Sequence, residues 1–128
     1  MDNSNRTIII SGIIALVIIV GALVYASRVT NGPSKYDDFA KCLSDKKAVF
    51  YGAFWCPHCQ NQKKLFGGAK QYLPYVECST PDGRGMLEVC QKEGIKSFPT
   101  WAFPDLSTTT GEVSLEVLAE KTGCVLPK

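Results

Sequence analysis

The stretch Ala-Val-Phe-Tyr-Gly-Ala-Phe-Trp-Cys-Pro-His-Cys, residues 48–59, decides the fold of this 128-residue chain. Its first seven residues form an apolar run of the length that is typical of a buried parallel strand. Pro57 suits the first turn of a helix, and Gly67-Gly68 should end that helix. A strand that leads directly into a helix predicts an α/β domain with two cysteines at the junction.

The segments around this stretch predict the remaining elements of the domain. These are a helix capped by Ser34, a strand over residues 74–78, a helix over residues 85–93, a hairpin with strands at residues 100–103 and 107–110, and a helix capped by Ser114 and ended by Gly123. The order helix, β-α-β, α, β-β-α predicts a central mixed sheet of about four strands flanked by helices.

Residues 7–27 contain no charged side chain and consist mainly of Ile, Val, Leu, Ala and Gly. About 20 such residues span a bilayer as a helix, so the segment is predicted to be a transmembrane signal-anchor. Cleavage after Ala26 is the alternative, because Val24-Tyr25-Ala26 resembles a small-residue cleavage site. The predicted organisation is a tail over residues 1–6, the anchor over residues 7–27, a linker over residues 28–34 and a domain over residues 35–128.

The cysteine content favours an oxidising compartment over a cytosolic redox or metal protein. Six cysteines occur in this short chain, an even number that suits structural disulfides. The positive-inside rule, applied to Arg6 against Arg28 and Lys35, would keep the domain in the cytoplasm, but the bias is about one charge. We therefore expect a single-pass protein whose domain lies on the periplasmic or lumenal side. The net charge of +2 does not indicate a surface that binds nucleic acid.

The motif Cys56-Pro57-His58-Cys59 has the spacing of a reversible dithiol at the start of a helix. Cys56 is predicted to be the exposed nucleophile, because free N–H groups and the helix dipole favour a thiolate there. Cys59 is predicted to be the resolving thiol that attacks a mixed disulfide at Cys56. Pro57 sets the first helical φ, and His58 can add a positive charge beside Cys56. Trp55 is expected to form an apolar platform.

A zinc half-site is the alternative use of two cysteines at this spacing. Such a site needs a second Cys/His pair, whereas Cys78 and Cys90 lie far apart and His58 is the single histidine of the chain. We therefore expect no metal, and no cofactor other than a redox-active Cys56–Cys59 disulfide.

Residues 46–122 resemble the thioredoxin superfamily through Trp55-Cys56-Pro57-His58-Cys59 and the downstream segment Gly94–Thr100. More narrowly, the chain resembles the thioredoxin-like domain attached to bacterial and plant homologues of vitamin K epoxide reductase. The segments that carry this resemblance are Tyr51–Gln60, Gln62–Gly67, Tyr75–Cys78 and Gly94–Trp101.

The resemblance implies a relay of electrons. Thiol-containing protein substrates would reduce the Cys56–Cys59 disulfide, and a quinone-linked membrane protein similar to vitamin K epoxide reductase would reoxidise it. The chain has one predicted span, so that four-helix partner would be a separate protein. Phe50 stands where thioredoxin carries a buried carboxylate, and this departure argues against a tuned reductase.

The resemblance also assigns roles outside the motif. It implies a cis peptide bond before Pro99, where an ordinary trans proline at a strand start is the alternative, and a substrate-docking edge at Phe98 and Pro99. It further implies a structural disulfide between Cys78 and Cys90. The remaining cysteines lie outside the shared motifs; Cys42 and Cys124 either pair or are separate buried thiols.

Three functions are consistent with these residues. The leading hypothesis is a thiol–disulfide oxidoreductase that oxidises the cysteines of exported proteins. The second is a membrane-anchored reductase of the type that serves cytochrome maturation. The third is a disulfide-stabilised binding domain without enzymatic activity.

Overall fold

The computed structural model describes residues 3–30 and 32–128, and side chains over residues 6–28 and 32–128. Residues 1–2 of the predicted tail and residue 31 of the predicted linker lie outside this part. The chain divides into two units, Met1–Gly32 and Pro33–Lys128. Each unit is described by itself.

The first unit contains a single helix, α1, over Asn3–Thr30. Its stretch Arg6–Arg28 has 23 residues and a mean hydropathy of 2.9, which is long and apolar enough to cross a membrane. The hydroxyls of Ser11 and Ser27 donate to the carbonyls of Ile8 and Val24, at 2.9 and 2.8 Å. These polar groups are therefore satisfied inside the helix, as an apolar surrounding requires.

The second unit contains a four-stranded mixed sheet with helices on both faces. Its elements are α2 Asp37–Asp45, β1 Val49–Gly52, α3 Pro57–Leu65, a 3₁₀ helix Gly67–Tyr72, β2 Tyr75–Glu77, α4 Glu88–Lys92, β3 Thr100–Ala102, β4 Thr108–Thr110 and α5 Leu115–Thr122. The strand order is β2-β1-β3-β4. β1 is parallel to β2 and antiparallel to β3, and β3 is antiparallel to β4. This is the thioredoxin-like fold that the sequence predicts.

The larger core covers the sheet face that carries Phe50 and Trp101. These two side chains are fully buried, and their rings stack with centroids 4.9 Å apart. Leu43 of α2, Cys59 of α3 and Leu118 of α5 belong to the same cluster. Three helices thus pack on one face through apolar side chains, and burial of this kind is the main favourable term in folding.

The opposite face carries a smaller cluster that includes a disulfide. Tyr51 of β1 packs there with Ile95 and with Cys78 and Cys90, whose sulfurs are bonded. Because Cys78 follows β2 and Cys90 lies in α4, the bond attaches that helix to the sheet. This is the pair that the family resemblance implies.

A second disulfide joins Cys42 of α2 to Cys124, which follows α5. The two residues are 82 positions apart in the sequence, with their Cα atoms 5.9 Å apart. The sequence does not decide whether these two cysteines pair, since neither belongs to a recognisable motif. The bond ties the first helix of the unit to its C-terminal end.

Ser34 does not cap α2, contrary to the prediction. The helix begins at Asp37, and Tyr36 is its N-cap residue without a capping side chain. The Asp37 carboxylate accepts the N–H of Ser34 at 3.2 Å, while the Asp37 N–H donates to the Ser34 carbonyl at 3.0 Å. Ser34 therefore belongs to the turn that precedes the helix.

α4 is shorter than the predicted helix over residues 85–93. The N–H of Leu87 donates to the Cys78 carbonyl at 2.7 Å, and Met86 forms an isolated β-bridge with Ser79. These contacts with the end of β2 hold residues 86 and 87 in extended backbone, so the helix begins only at Glu88.

Beyond α3 the structure contains an element that the sequence did not predict. Gly67 has a positive φ of 54° and lies at the end of α3, as the Gly67-Gly68 prediction requires. The chain then continues as the 3₁₀ helix Gly67–Tyr72 rather than as a loop. Ala69 of this 3₁₀ helix is fully buried, so the segment packs against the core.

Candidate active site at Cys56 and Cys59

Cys56 is the N-cap residue of α3 and lies between β1 and the helix. Its backbone is extended, with φ −77° and ψ 118°, and its Sγ accepts the N–H of Cys59 at 3.3 Å. Pro57 occupies the first turn, where its missing N–H costs no helical hydrogen bond. The sulfur of Cys56 therefore takes the place that a Ser or Asp oxygen takes in an ordinary cap.

Both cysteines of the motif are buried, which differs from the prediction for Cys56. Cys59 is fully buried, and Cys56 retains 4% of its surface, although it was predicted to be exposed. The cause is that Cys56 belongs to the main apolar cluster, against which Phe98 also packs. A partner sulfur therefore has only a small exposed part of Cys56 to attack.

Burial has a direct consequence for the acidity of Cys59. It raises the pKa of the Cys59 thiol to about 12, with a further contribution from the hydrogen bond to Cys56. Cys59 is therefore a protonated thiol at neutral pH, and its thiolate is costly to form. This difference from an ordinary cysteine fits the role of the internal, resolving thiol.

His58 makes a contact that the sequence did not reveal. Its Nδ1 lies 2.6 Å from Oε1 of Glu112, and the amide of Asn61 donates to the same oxygen at 3.3 Å. The hydrogen bond from His58, and then that from Asn61, hold the pKa of Glu112 below its usual range. Glu112 lies 54 positions from His58, so no local pattern could have identified it. The effect of His58 on Cys56 stays a prediction.

Two aromatic side chains lie beside the motif. Trp55 is half exposed, and its indole Nε1 donates to Ser79 Oγ at 2.8 Å. The ring of Phe98 meets Trp55 edge-on, with centroids 6.2 Å apart. The Phe98–Pro99 peptide bond is cis, as the family resemblance implies. The structure therefore brings Trp55, Phe98 and Pro99 together next to Cys56.

The segment after β4 joins the cis-proline loop to α3. The N–H of Gly111 donates to the Pro99 carbonyl at 2.8 Å. Gln62, which is fully buried in α3, accepts the N–H of Val113 at 2.7 Å and donates to its carbonyl at 2.9 Å. Gln62 was not predicted from the sequence. The pattern that could have indicated it is a polar residue three positions after Cys59, on the buried face of the helix.

Phe50 has no group that can transfer a proton, and its ring stacks on Trp101 in the core. Polar groups come instead from β2, the neighbouring strand. The Tyr75 hydroxyl donates to Glu77 Oε2 at 2.7 Å. The other oxygen of Glu77 accepts the N–H groups of Phe54 and Ser79, at 3.2 and 2.9 Å. Glu77 thus fixes the backbone that leads into the cysteine motif.

Among the residues that the structure describes, no group of three or more His, Cys, Asp or Glu side chains could hold a metal ion. The chemistry that this arrangement can perform is that of two neighbouring thiols, one at the start of a helix and one buried a turn later.

Comparison with known proteins finds a relative in Arabidopsis thaliana that is named thiol-disulfide oxidoreductase LTO1. The two sequences are 42% identical over 105 residues, which is 77% of this chain. The chain spans 27% of the length of that relative. No family model matches the chain. The similarity thus relates this chain to part of a larger protein whose name refers to thiol–disulfide exchange.

Proposed function

We propose that this chain is a membrane-anchored thiol–disulfide oxidoreductase that oxidises the cysteines of exported proteins. The observation that supports this most directly is the placement of Cys56 at the N-cap of α3, with its sulfur 3.3 Å from the N–H of the buried Cys59. The relative from Arabidopsis thaliana, through its name, supports the same class of activity.

The proposed reaction transfers two electrons from the substrate to the chain. A substrate thiolate attacks Sγ of Cys56, the Cys56–Cys59 bond breaks, and Cys59 leaves with the bonding electron pair. A second substrate thiolate then attacks the substrate sulfur bound to Cys56. This forms the substrate disulfide and releases Cys56 as a thiolate. Water supplies the protons that the two cysteines take up.

The setting of the reaction is part of the proposal. Helix α1 anchors the chain, and its domain faces the periplasm or lumen, where the Cys42–Cys124 and Cys78–Cys90 disulfides would persist. The resemblance to domains of vitamin K epoxide reductase homologues suggests the electron acceptor. In this proposal a quinone-linked membrane protein of that type reoxidises the Cys56–Cys59 pair.

The test uses the full chain in detergent micelles, oxidised and then mixed with a reduced, unfolded protein that contains cysteines. We expect disulfides to form in that substrate, because the chain supplies the oxidising disulfide. Cys56→Ser should abolish the reaction. Reduced Cys59→Ser, mixed instead with the same protein in its disulfide-bonded form, should accumulate a mixed disulfide, because the Cys56 thiolate opens a substrate disulfide and no Cys59 thiol is present to release it. A Cys56→Ser variant that is as active as the unmodified chain would contradict the proposal and favour a non-enzymatic binding domain.

The direction of electron flow is measured by the reduction potential of the Cys56–Cys59 couple. A potential well above that of thioredoxin, which is about −270 mV, supports an oxidase. A value at or below about −270 mV would instead support the cytochrome-maturation type of reductase. In cells, the Cys59→Ser variant should trap exported polypeptides together with a membrane protein of several spans.

A further inference from the structure

Opening of the Cys56–Cys59 disulfide places a negative charge on a sulfur that is fully buried. Cys59 has no exposed surface, and burial is the largest cause of its raised pKa. A buried charge of this kind is costly unless an opposite charge lies nearby. Phe50 belongs to the same buried cluster as Cys59 and carries no charge. A compensating positive charge therefore has to come from another residue.

Tyr75 of β2 is a direct neighbour of Cys59 across Gly52. A Cβ atom at Gly52 would lie 2.8 Å from Cε2 of Tyr75 and 3.1 Å from Sγ of Cys59. The ring and the sulfur therefore both lie next to this glycine. Burial, and then the hydrogen bond to Glu77, raise the pKa of the Tyr75 hydroxyl. Tyr75 therefore stays neutral and adds no second negative charge beside Cys59.

Lys63 does supply a positive charge at this place. It lies four residues after Cys59 on α3, and residues at this spacing share one face of a helix. Its Nζ lies 3.4 Å from the centroid of the Tyr75 ring, in a cation–π contact. The side chain is thus held over the same ring that packs against Gly52 beside Cys59.

The charges around Lys63 come from three elements. Burial is the largest influence and lowers the pKa of Lys63. The charges of Glu77 in β2 and Cys59 in α3 raise this pKa, and the charge of Lys70 in the 3₁₀ helix lowers it. The pKa of Cys59 is in turn lowered by the backbone hydrogen bond at Ala53 and, to a smaller extent, by the Lys63 charge. Lys63 and Tyr75 also line a surface cleft of about 600 Å³, so water can reach the ammonium group although Cys59 is buried.

We propose that Lys63 is the cation that stabilises the Cys59 thiolate whenever the Cys56–Cys59 disulfide opens or closes, with the Tyr75 ring and Glu77 holding it in place. This inference rests on the proposed thiol–disulfide exchange. Lys63 acts here through its charge as a positioning residue, and forms no covalent bond during the reaction.

The test follows oxidation of the reduced full chain, in detergent micelles, by the aromatic disulfide 5,5′-dithiobis(2-nitrobenzoic acid). The Cys56 thiolate breaks the bond of the reagent and releases a first coloured thiolate. The Cys59 thiolate then attacks Sγ of Cys56 in the mixed disulfide and releases a second one, while its proton goes to water. The first phase therefore reports Cys56, and the second phase reports Cys59.

Lys63→Met should slow the second phase about threefold at neutral pH, because a rise of one unit in the Cys59 pKa lowers the thiolate fraction about tenfold and the higher nucleophilicity of the more basic thiolate offsets part of that loss. The pH profile of that phase should move to higher pH, while the first phase is unchanged. Lys63→Arg should restore most of the lost rate, since arginine keeps the charge. Lys64→Met, the loss of the adjacent lysine, is the matched control and should match the unmodified chain in both phases.

An unchanged second phase in Lys63→Met would overturn the inference, as would a Lys63→Arg variant as slow as Lys63→Met. Both outcomes leave the proposed function intact if Cys56 still reacts in the first phase and oxidises a reduced protein. Failure of the proposed function has a different signature, because Cys56→Ser would then oxidise that protein as fast as the unmodified chain. Circular dichroism of each variant shows whether it is folded.

Discussion

Gln62 is a buried polar side chain with both ends of its amide satisfied by one residue of a distant segment. It accepts from Val113 N–H at 2.7 Å and donates to the Val113 carbonyl at 2.9 Å. Val113 is itself buried, so both backbone groups would lose a partner without gaining water. The glutamine therefore stabilises the position of α3, on which both cysteines depend.

Gln62→Ala should lower the free energy of unfolding by about 2–4 kcal/mol, because two buried backbone groups are left unsatisfied. Urea unfolding of the full chain, followed by the fluorescence of the buried Trp101, measures the change. Asn61→Ala, at the neighbouring and exposed position of α3, is the control and should cost less than about 1 kcal/mol. Equal losses for the two variants would show that the Gln62 bonds add nothing.

At the same scale, the pair of His58 and Glu112 predicts a dependence of stability on pH. The pKa of Glu112 is lower in the folded chain, mainly because His58 donates to it. A carboxyl with a lowered folded pKa stabilises the fold above its unfolded pKa of about 4.3, and this contribution is lost as the pH falls through the lowered value.

Glu112→Gln should therefore unfold at lower urea concentration than the unmodified chain at pH 6. The difference should shrink as the pH falls below the unfolded pKa of about 4.3 and the Glu112 carboxylate becomes protonated. Urea unfolding at a series of pH values measures this. Glu116→Gln, in α5, controls for the loss of one negative charge; a pH dependence equal to that of Glu112→Gln would contradict the assignment to the His58 pair.

At the scale of elements, short-range signals predicted most boundaries of the domain. Pro57 and Gly67 bracket α3, and the Ser114 hydroxyl accepts the N–H of Val117 at the start of α5 as predicted. Gly123 ends α5 in the left-handed region, with φ +71°. These signals succeeded because caps and positive-φ glycines act within one turn of the helix.

Two of the errors at this scale, at α4 and after α3, have a common cause, which is contact with another part of the fold. α4 begins late because Leu87 bonds to the end of β2, and the 3₁₀ helix forms because Ala69 can be buried there. Neither contact is encoded in the local pattern of residues. Tertiary packing commonly overrides such propensities at element ends.

At the scale of the molecule, two disulfides close loops of very different size. Cys42 and Cys124 are 82 positions apart, and Cys78 and Cys90 are 12 apart. In the chain-entropy model, the stabilisation grows with the length of the closed loop. The bond between α2 and the C-terminal end should therefore contribute more to stability than the bond between β2 and α4.

The double variant Cys42→Ala/Cys124→Ala should lose about 4.5 kcal/mol of unfolding free energy, against about 3 kcal/mol for Cys78→Ala/Cys90→Ala. Urea unfolding without reductant compares the two, and each variant serves as the control for the other. A larger loss for the Cys78/Cys90 variant would mean that packing around α4 outweighs loop entropy.

The sequence by itself determined the apolar helix, a mixed sheet flanked by helices and the position of Cys56 and Cys59 between a strand and a helix. These features depend on hydrophobic periodicity, on turn residues and on a spacing of three positions, all of which act locally along the chain. The family resemblance added the cis bond at Pro99 and the Cys78–Cys90 pair.

Only the tertiary structure decided which groups surround the two thiols. Glu112 beside His58, Val113 on Gln62 and Tyr75 against Gly52 come from segments more than 20 positions away. The burial of Cys56 and the partner of Cys42 were decided in the same way. Electrostatics and burial depend on distances in space, and in a mixed sheet those distances are set by strand order and helix packing rather than by separation along the chain.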